Sequence, residues 1–412
     1  MLRNPFSAMT QRSRLRAAVR GAVCVAAAVC AWPGGEPAWR AGLIPALSPL
    51  NALLAAAAGA GALFMLGAAA LAAVCAFWPR AFCRWLCPTG TCQDAASCWT
   101  RRRAWLGRVP QVGGWILLAG LGAALAGYPL FGWLDPLVLF NGTFGLARHP
   151  LGALDGVVAA GLPALVVLAV LAPGLWCGKL CPLGALQDLL RAPFRPRLPD
   201  PAAAQERAAL GRRAFLGLGL GAGYRLAAPL DRAVPAAVLR PPASESEARF
   251  TRLCVRCGAC VRACPTAIIR FGGADAGWAG VLAPELSFDG DYCSPSCTAC
   301  GQACPSGAIP RFTVQNKFAE PIGCASLNEE ACLLGERREC GACVTACPYG
   351  ALDLAWDPRN LTSRVVVDPR ACTGCGCCEY VCPAAPKAII VNADASRPRR
   401  RRRARKGVIN RA

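Results

Sequence analysis

The sequence predicts two folded parts, an α-helical membrane bundle of four transmembrane helices and an α+β domain built around cysteine motifs. Three observations lead to this fold class. The first half of the chain is poor in charge and contains four long apolar runs. A C-x3-C-P motif occurs twice in that half, at equivalent places, which indicates a duplicated helical hairpin. The second half repeats a different cysteine pattern four times between Cys254 and Cys382.

Changes in composition set the predicted domain boundaries. We expect a four-helix transmembrane domain at residues 1–190, a linker at 191–240, the cysteine-motif domain at 241–393 and a basic, disordered tail at 394–412. The chain has 45 Lys and Arg against 24 Asp and Glu, a net charge of +21. These basic residues adjoin the apolar runs and fill the tail instead of alternating with aromatic side chains. We therefore predict a membrane, and no nucleic acid, as the partner of this charge.

Each copy of the repeated pattern has three cysteines at short intervals and a fourth three residues later, followed by proline. The four copies are Cys254, Cys257, Cys260 and Cys264; Cys293, Cys297, Cys300 and Cys304; Cys332, Cys340, Cys343 and Cys347; and Cys372, Cys375, Cys378 and Cys382. The first and fourth copies have the spacing with which bacterial ferredoxins hold [4Fe–4S] clusters. Zinc sites lack the C-x3-C-P ending, and a chain this long is a poor match for a disulfide framework. We therefore predict that these cysteines are iron ligands.

The chemistry of a cubane cluster predicts how the copies cooperate. Its four irons need four thiolates, and a tight loop reaches only three of them. We expect the fourth cysteine of each copy to open a short helix and to reach a neighbouring cluster, so that the copies work in pairs. The prediction is four [4Fe–4S] clusters in two ferredoxin-like modules. The apolar steps that end at Ile268, Ile309, Leu352 and Ile389 predict one short strand after each copy.

The apolar runs predict four membrane-spanning helices. The first ends near Trp32, and the others cover about residues 51–78, 109–128 and 156–176. Their length and lack of charge favour membrane spans over buried helices of a soluble protein. Arginines concentrate before the first run, between the second and third, and after the fourth, so both ends of the bundle are predicted to face the cytoplasm. We expect a multi-pass protein of the bacterial inner membrane.

The duplicated C-x3-C-P motif follows the second and fourth apolar runs. Its copies share the same Pro, Gly, Gln and Asp downstream, and their cysteines are Cys83 with Cys87 and Cys177 with Cys181. In equivalent hairpins the four thiols lie at the same depth and can converge. They are predicted to ligate one further cluster or to form a redox dithiol. The matched neighbours argue against the alternative, in which these cysteines are small buried packing residues.

The linker contains Arg212-Arg213-Ala214-Phe215-Leu216 ahead of a Gly-rich apolar run. This pattern is typical of a twin-arginine export signal. Iron–sulfur clusters are assembled in the cytoplasm, so a domain that carries them must cross the membrane already folded. We therefore expect a fifth membrane crossing here and a periplasmic ferredoxin domain. An amphipathic linker on the cytoplasmic surface is the alternative.

Residues 239–391 resemble the four-cluster iron–sulfur subunit NapG of periplasmic nitrate reductase systems. The shared features are Leu239-Arg240-Pro241-Pro242, Cys254-Val-Arg-Cys257-Gly, the Cys332-x7-Cys340 spacing and Cys372-Thr-Gly-Cys375-Gly. Residues 1–195 resemble its membrane partner NapH through four helices and two C-x3-C-P motifs, so the chain resembles a natural fusion of the two. It departs from NapH in having no cysteine between Cys181 and Cys254, and from NapG in the spacing of the second copy.

The resemblance implies oxidation of quinol from the quinone pool and delivery of electrons to a periplasmic reductase or cytochrome. From the residues alone, neighbouring copies could pair, the first with the second and the third with the fourth. The resemblance instead implies a nested pairing, in which Cys382 completes the cluster of the first copy and the second copy pairs with the third. A quinol dehydrogenase needs a proton acceptor, for which His149, Asp135 and Asp155 are candidates. The alternative function is that of a maturation or regulatory polyferredoxin, which reduces a metal centre or thiol during assembly of another enzyme.

Overall fold

The structure, a computed structural model, describes residues 11–32, 37–57, 62–98, 100, 104–125, 129–147, 153–194, 216, 219, 223, 238–273, 280–334, 338–358 and 362–393. Its first part is a helical unit. Helices α1 to α11 are Gln11–Ala31, Arg40–Ala46, Pro49–Ala57, Ala62–Phe77, Ala81–Trp85, Pro88–Ala96, Val112–Leu125, Pro136–Thr143, Ala153–Ala159, Gly161–Leu171 and Pro182–Arg191. Short 3-10 helices cover Ala104–Arg108, Leu130–Leu134, Phe144–Ala147 and Ala192–Phe194, and a π-helix covers Trp176–Leu180.

The predicted bundle of four transmembrane helices is wrong. Among the residues that the structure describes, no helix has both the length and the apolar character that a bilayer crossing requires. A span takes about 20 apolar residues, but the third apolar run forms a helix of 14 residues, and the fourth is divided between helices of 7 and 11 residues. Helix α1 has 21 residues but contains Arg14, Arg16 and Arg20. The predicted multi-pass placement in the inner membrane is contradicted by the same finding.

Proline is the first residue of four helices of this unit, among them α3, which begins at Pro49; the other three have a chemically active side chain at the N-cap. Pro88, Pro136 and Pro182 occupy the first position of α6, α8 and α11, where no N–H is needed. The residue before a proline is held in an extended conformation, so it becomes the N-cap and its side chain can accept a backbone N–H. These three N-caps are Cys87, Asp135 and Cys181. The sequence thus places three chemically active side chains at helix starts.

The second part is a ferredoxin unit of short helices and strands. Helices α12 to α17 are Glu247–Leu253, Ala259–Ala263, Ala299–Ala303, Val314–Lys317, Ala342–Ala346 and Cys377–Val381. Strands β1 to β6 are Ile269–Phe271, Pro284–Leu286, Cys324–Leu327, Leu352–Asp357, Thr362–Val367 and Ile389–Asn392. They pair antiparallel, β1 with β2, β3 with β6 and β4 with β5. The pairing of β3 with β6 joins the last strand of the unit to a strand from its middle, with Ala325 opposite Val391.

Three of the four copies are followed by the strand that the sequence predicts. Strand β1 begins at Ile269, β4 at Leu352 and β6 at Ile389. Residues 307–323, all described, contain no strand, because Pro310 directly follows the second apolar step and lacks the N–H that a strand ladder uses. The predicted place of the fourth cysteines is also wrong. They end one-turn helices instead of opening them, and they are Cys264, Cys304, Cys347 and Cys382.

The ferredoxin unit packs directly on the helical unit. A Cβ atom at Gly42 would clash with the carbonyl oxygen of Ala303, and one at Gly132 would lie 2.6 Å from that of Val255. The buried side chains at this contact are Ala55, Val138, Val255, Cys257, Ala259 and Ala303. Glycine and other small residues therefore let the two backbones approach closely. The approach brings the first cysteine motif against the helical unit.

Candidate functional site

The two C-x3-C-P motifs form a set of four thiols in the helical unit. We call it the N-terminal cage, and it consists of Cys83, Cys87, Cys177 and Cys181. Cys87 and Cys181 are helix N-caps, and their Sγ atoms accept the N–H groups of Gly90 at 3.3 Å and Gly184 at 3.4 Å. Cys83 lies in α5, and Cys177 lies in the π-helix. The structure brings the four thiols together, since the other three cysteines all act on the pKa of Cys87.

The glutamines of the two motif copies cross over to the opposite copy. Gln187 Nε2 donates a hydrogen bond to Cys83 Sγ at 2.9 Å. In return, Cys177 Sγ donates to Gln93 Oε1 at 3.0 Å. Each glutamine therefore positions the first cysteine of the other motif copy. This reciprocity explains why the two motifs share a glutamine at the same distance from the cysteines.

The aspartates that follow these glutamines are held by arginines from other segments. Arg20 Nη1 lies 2.6 Å from Asp94 Oδ2, and Arg80 Nε donates to Asp188 Oδ1 at 3.0 Å. Arg80 also donates to the carbonyl oxygen of Cys177 at 3.2 Å. The two ion pairs therefore anchor α6 and α11 next to the cage, and Arg80 places a positive charge beside its thiols.

Burial dominates the electrostatics of the N-terminal cage. It raises the pKa of Cys83 to about 11 and that of Cys177 to about 12. Cluster binding would release the thiol protons. Two buried donors close to Cys177 in the fold or along the chain have no partner. They are Nε2 of Gln93, whose Oε1 accepts the Cys177 thiol, and the indole N–H of Trp176, the residue before Cys177. Four thiols with unpartnered donors around them fit an anionic iron–sulfur cluster.

In the first ferredoxin module, each copy contributes its fourth cysteine to the other copy. Burial, and then the neighbouring Cys304 thiol, raises the pKa of Cys257 to about 12. Burial also raises the pKa of Cys300, and the neighbouring thiols of Cys293 and Cys264 add to this effect. We therefore define a first cage of Cys254, Cys257, Cys260 and Cys304, and a second cage of Cys293, Cys297, Cys300 and Cys264.

The second module shows the same exchange of fourth cysteines. One cavity, the third cage, is lined by Cys332, Cys340, Cys343 and Cys382. Another, the fourth cage, is lined by Cys372, Cys375, Cys378 and Cys347. The thiol of Cys377 lies nearby but donates to the carbonyl oxygen of Ala346 at 3.1 Å, so it has a structural partner.

The pairing of the copies is therefore sequential, the first with the second and the third with the fourth. The nested pairing that the resemblance implied is wrong, because Cys304 and not Cys382 lies with the first copy. Among the described residues, no group of His, Cys, Asp or Glu side chains is arranged to hold a single metal ion. A cubane needs a wider arrangement than such a site, because its four thiolates bind four different irons.

The cages also contact one another. The backbone N–H of Cys293, in the second cage, donates to the carbonyl oxygen of Cys375, in the fourth cage, at 2.8 Å. The first and second cages are joined by their exchanged cysteines, as are the third and fourth. Along the ferredoxin unit the order is thus first, second, fourth and third. The cysteines of the first cage that belong to its own motif are buried, whereas all four of the third cage are only half-buried.

The three candidate proton acceptors have different surroundings. Asp135 is completely buried at the start of α8. Asp155 lies at the contact between the units, where its Oδ1 accepts the backbone N–H of Phe271 at 3.2 Å. His149 lies outside the described residues, as does the Arg212-Arg213 pair. Among the described residues, Asp135 and Asp155 thus share no hydrogen-bond partner.

Two arginines of the first cysteine motif have a role that the sequence did not suggest. Arg256 Nη1 donates to the carbonyl oxygen of Pro129 at 3.1 Å. Arg262 Nη1 donates to that of Ala31 at 2.9 Å. Both guanidinium groups are buried against the helical unit, next to the first cage. Their position between the cysteines of the first motif was the signal that the sequence offered.

Two families of domains match the chain. A 4Fe-4S dicluster domain matches residues 253–332 and 336–385. A 4Fe-4S binding domain matches residues 60–104 and 154–199, which include the two C-x3-C-P motifs. The second match coincides with the N-terminal cage. No solved structure matches the chain.

Several characterised proteins are similar in sequence. The methylamine utilization ferredoxin-type protein MauM of Paracoccus denitrificans is 31% identical over 209 residues, 48% of this chain and 86% of the relative. The ferredoxin-type protein NapG of Escherichia coli is 33% identical over 165 residues, 37% of this chain and 69% of the relative. The ferredoxin-type protein NapF of the same organism is 34% identical over 149 residues, 35% of this chain and 80% of the relative.

Proposed function

Because this chain belongs to the family of ferredoxin-type 4Fe–4S electron-transfer proteins that includes MauM and NapG, we propose that it holds five redox centres in series. Four lie in the cages of the ferredoxin unit and one in the N-terminal cage. When bound, each [4Fe–4S] cluster supplies a redox centre whose potential the surrounding protein tunes. In this proposal electrons travel between the N-terminal cage at one end and the half-buried third cage at the other.

The main support for this proposal is that each cage of the ferredoxin unit contacts the next one. Within the ferredoxin unit, exchanged cysteines and the contact between Cys293 and Cys375 leave no break in the order of the cages. Between the two units, Gly132 packs against the carbonyl oxygen of Val255, which lies between two cysteines of the first cage. The match of a 4Fe-4S binding domain around both C-x3-C-P motifs supports a centre in the N-terminal cage.

The chain's own residues give this series two different ends. Three cysteines of the first cage, Cys254, Cys257 and Cys260, are buried next to the helical unit, which disfavours this cage as the contact with a separate protein. The third cage is the least covered, and a soluble partner can approach it. The residue arrangement therefore favours the N-terminal cage as the internal end and the third cage as the contact with an acceptor.

The experiment is a count of rapidly transferred electrons. The full chain, purified without oxygen and fully reduced, is mixed with excess oxidised cytochrome c, and the fast phase is measured by stopped flow. About five electrons per chain are expected, one for each cluster. In Cys257→Ser the first cage is lost and the N-terminal centre is cut off, so the fast phase falls to about three. Cys98→Ser changes an exposed cysteine outside the cages and keeps about five.

A fast phase of about four electrons in Cys257→Ser would contradict the series. In that case only the altered centre is lost, and the N-terminal centre still reaches the acceptor by another route. A wild-type fast phase of about four electrons, with no change in Cys87→Ser, would remove the N-terminal centre from the proposal.

The donor and acceptor are a finer proposal that rests on the resemblance to a NapH-type partner fused to a NapG-type subunit. We propose quinol as the donor and a periplasmic reductase or cytochrome as the acceptor. A water-soluble short-chain quinol mixed with the oxidised protein tests the donor. Bleaching of the iron–sulfur absorption is expected, and its absence in wild type that dithionite reduces fully would contradict a quinol donor.

A further inference from the structure

A polar cluster lies inside the helical unit, where the core is otherwise apolar. Asp135, Ser48 and Asn51 are each 0% exposed. The hydroxyl of Ser48 donates to Asp135 Oδ2, and the other carboxyl oxygen accepts the N–H of Leu137 at 2.8 Å. Both polar atoms of the Asn51 side chain have no partner. Unsatisfied polar atoms at such depth are rare and call for an explanation.

The position of the cluster links it to the N-terminal cage. Thr89, two residues after Cys87, donates to the carbonyl oxygen of Pro136 at 2.5 Å, so the start of α8 is fixed against the cysteine motif. Asp135 is also close enough to Cys181 for its charge to raise the pKa of that thiol, after the larger effect of burial. The carboxyl group therefore lies beside the cage without being one of its ligands.

Asn51 continues the polar cluster towards the ferredoxin unit. Its backbone N–H donates to Ser48 Oγ at 3.3 Å, and its Oδ1 would lie 3.3 Å from a Cβ atom at Gly132. Gly132 is the residue that packs against Val255. The Asn51 side chain thus lies next to the contact of the two units, and its amide adds an unpartnered polar group to the buried surroundings of Ser48 and Asp135.

Other charged groups around α8 have partners of their own. On the described helices packed against α8, Arg40 donates to the carbonyl oxygen of Val29, and Asp94 pairs with Arg20. Asp155, also on such a helix, accepts the backbone N–H of Phe271. In the adjoining helix of the ferredoxin unit, Arg262 donates to the carbonyl oxygens of Ala31 and Ala41. The remaining titratable side chain of α6, Cys92, lies with its sulfur 3.8 Å from that of Cys24. Asp135 itself adds, after burial and the neighbouring thiols, to the raised pKa of Cys181. The charge of the N-terminal cage is therefore the changing charge that the carboxyl group faces.

We propose that Asp135 is a proton-binding site coupled to the N-terminal cage, taking up one proton when one electron arrives there. The inference rests on the proposed redox centre in that cage. An added electron makes the cage more negative, and the buried carboxylate responds strongly because no solvent screens the two charges. Proton uptake balances the added charge. Burial raises the pKa of Asp135 to about 6, which places the exchange near neutral pH.

The test is the pH dependence of the midpoint potential of the N-terminal centre in the full chain. The centre is identified as the electron paramagnetic resonance signal that Cys181→Ser removes. A tenfold change in proton concentration shifts a fully coupled one-electron potential by about 59 mV. The potential is expected to fall with rising pH between pH 6 and 8 in wild type and to stay constant in Asp135→Asn. Ser48→Ala removes a donor to the ionised carboxylate, so the slope is expected to begin at higher pH.

A second readout follows the carboxyl group directly. The infrared difference spectrum between reduced and oxidised protein is expected to contain a protonated carboxyl band that Asp135→Asn removes. The exposed control Asp353→Asn keeps this band. The same pH slope in wild type and in Asp135→Asn, or persistence of the band in that variant, would overturn the proposal. Absence of any signal removed by Cys181→Ser would instead overturn the N-terminal centre itself, and this inference with it.

Discussion

Replacement of Arg262 by methionine is expected to loosen the contact between the two units. The side chain is 4% exposed, and burial lowers its pKa from 12.5 to about 10. At about 1.4 kcal/mol per pKa unit, burial of the cation costs roughly 3 kcal/mol. Its hydrogen bonds to the carbonyls of Ala31 and Ala41 contribute about 1.5–3 kcal/mol each because the donor is charged.

The two hydrogen bonds together outweigh the cost of burying the Arg262 cation. Methionine relieves the burial of the cation but loses both bonds, and only the Ala41 oxygen keeps another donor, Asn141 Nδ2 at 3.4 Å. The carbonyl oxygen of Ala31 would also be left without this donor, which adds a further cost. We expect the substitution to weaken the contact between the two units by about 2 kcal/mol in total. If local opening limits exchange, this loss makes amide hydrogen exchange roughly 30-fold faster in residues 40–46 and 259–263.

Hydrogen exchange with mass spectrometry, on cluster-loaded protein, measures this effect. Arg252→Met is the matched control, because Arg252 is exposed in the same unit, and a surface change of this kind stays within about 0.5 kcal/mol. Equal exchange rates in Arg262→Met and Arg252→Met would refute the reasoning. They would mean that the guanidinium contributes nothing to holding the units together.

The remaining predictions concern pairing, packing and pH. Cys304→Ser is expected to alter the spectroscopic signal of the first cage, and Cys382→Ser that of the third; an effect of Cys382→Ser on the first cage would restore the nested scheme. Gly132→Val places a Cβ atom 2.6 Å from the Val255 carbonyl oxygen, so it is expected to speed amide hydrogen exchange at residues 255–263. Gly114→Val is the control, because a Cβ atom there meets open space, and exchange at residues 255–263 is expected to stay unchanged. Because the folded pKa of Asp135, about 6, exceeds its ordinary value of 3.8, the native state binds more protons between these values, and stability falls as pH rises through them. From pH 5 to 7 this amounts to roughly 1 kcal/mol, and thermal unfolding of Asp135→Asn should lack that part of the decline.

The sequence predicted the cysteine motifs better than it predicted which motifs share their fourth cysteines. Spacing alone identified the four ferredoxin motifs, because a loop of fixed length places its cysteines locally. It could not assign the fourth cysteines, since the neighbour of Cys264 depends on which module folds against it. The duplicated C-x3-C-P motifs were also readable, because Pro88 and Pro182 impose the same cap on Cys87 and Cys181. The crossing contacts of Gln93 and Gln187 required the fold.

The error about membrane helices has an identifiable cause. Runs rich in Ala, Leu and Gly have the same composition whether they cross a bilayer or fill a core, and composition does not fix where a helix ends. In the fourth run, Pro163 lies near the start of α10, and the helix extends over only 11 residues. Asp135 and Asn51 were equally hard to recognise as neighbours, because Ser48 joins them only after the chain has turned between α2 and α3.

The most direct test of the account is the iron and acid-labile sulfide content of the full chain purified without oxygen. Five cages predict about 20 irons and as many sulfides per chain, at four of each for every [4Fe–4S] cluster. The double variant Cys87→Ser with Cys181→Ser is predicted to hold about 16 of each and to keep the four ferredoxin signals. Wild type with about 16 irons, unchanged in that variant, or zinc in place of iron, would contradict the account.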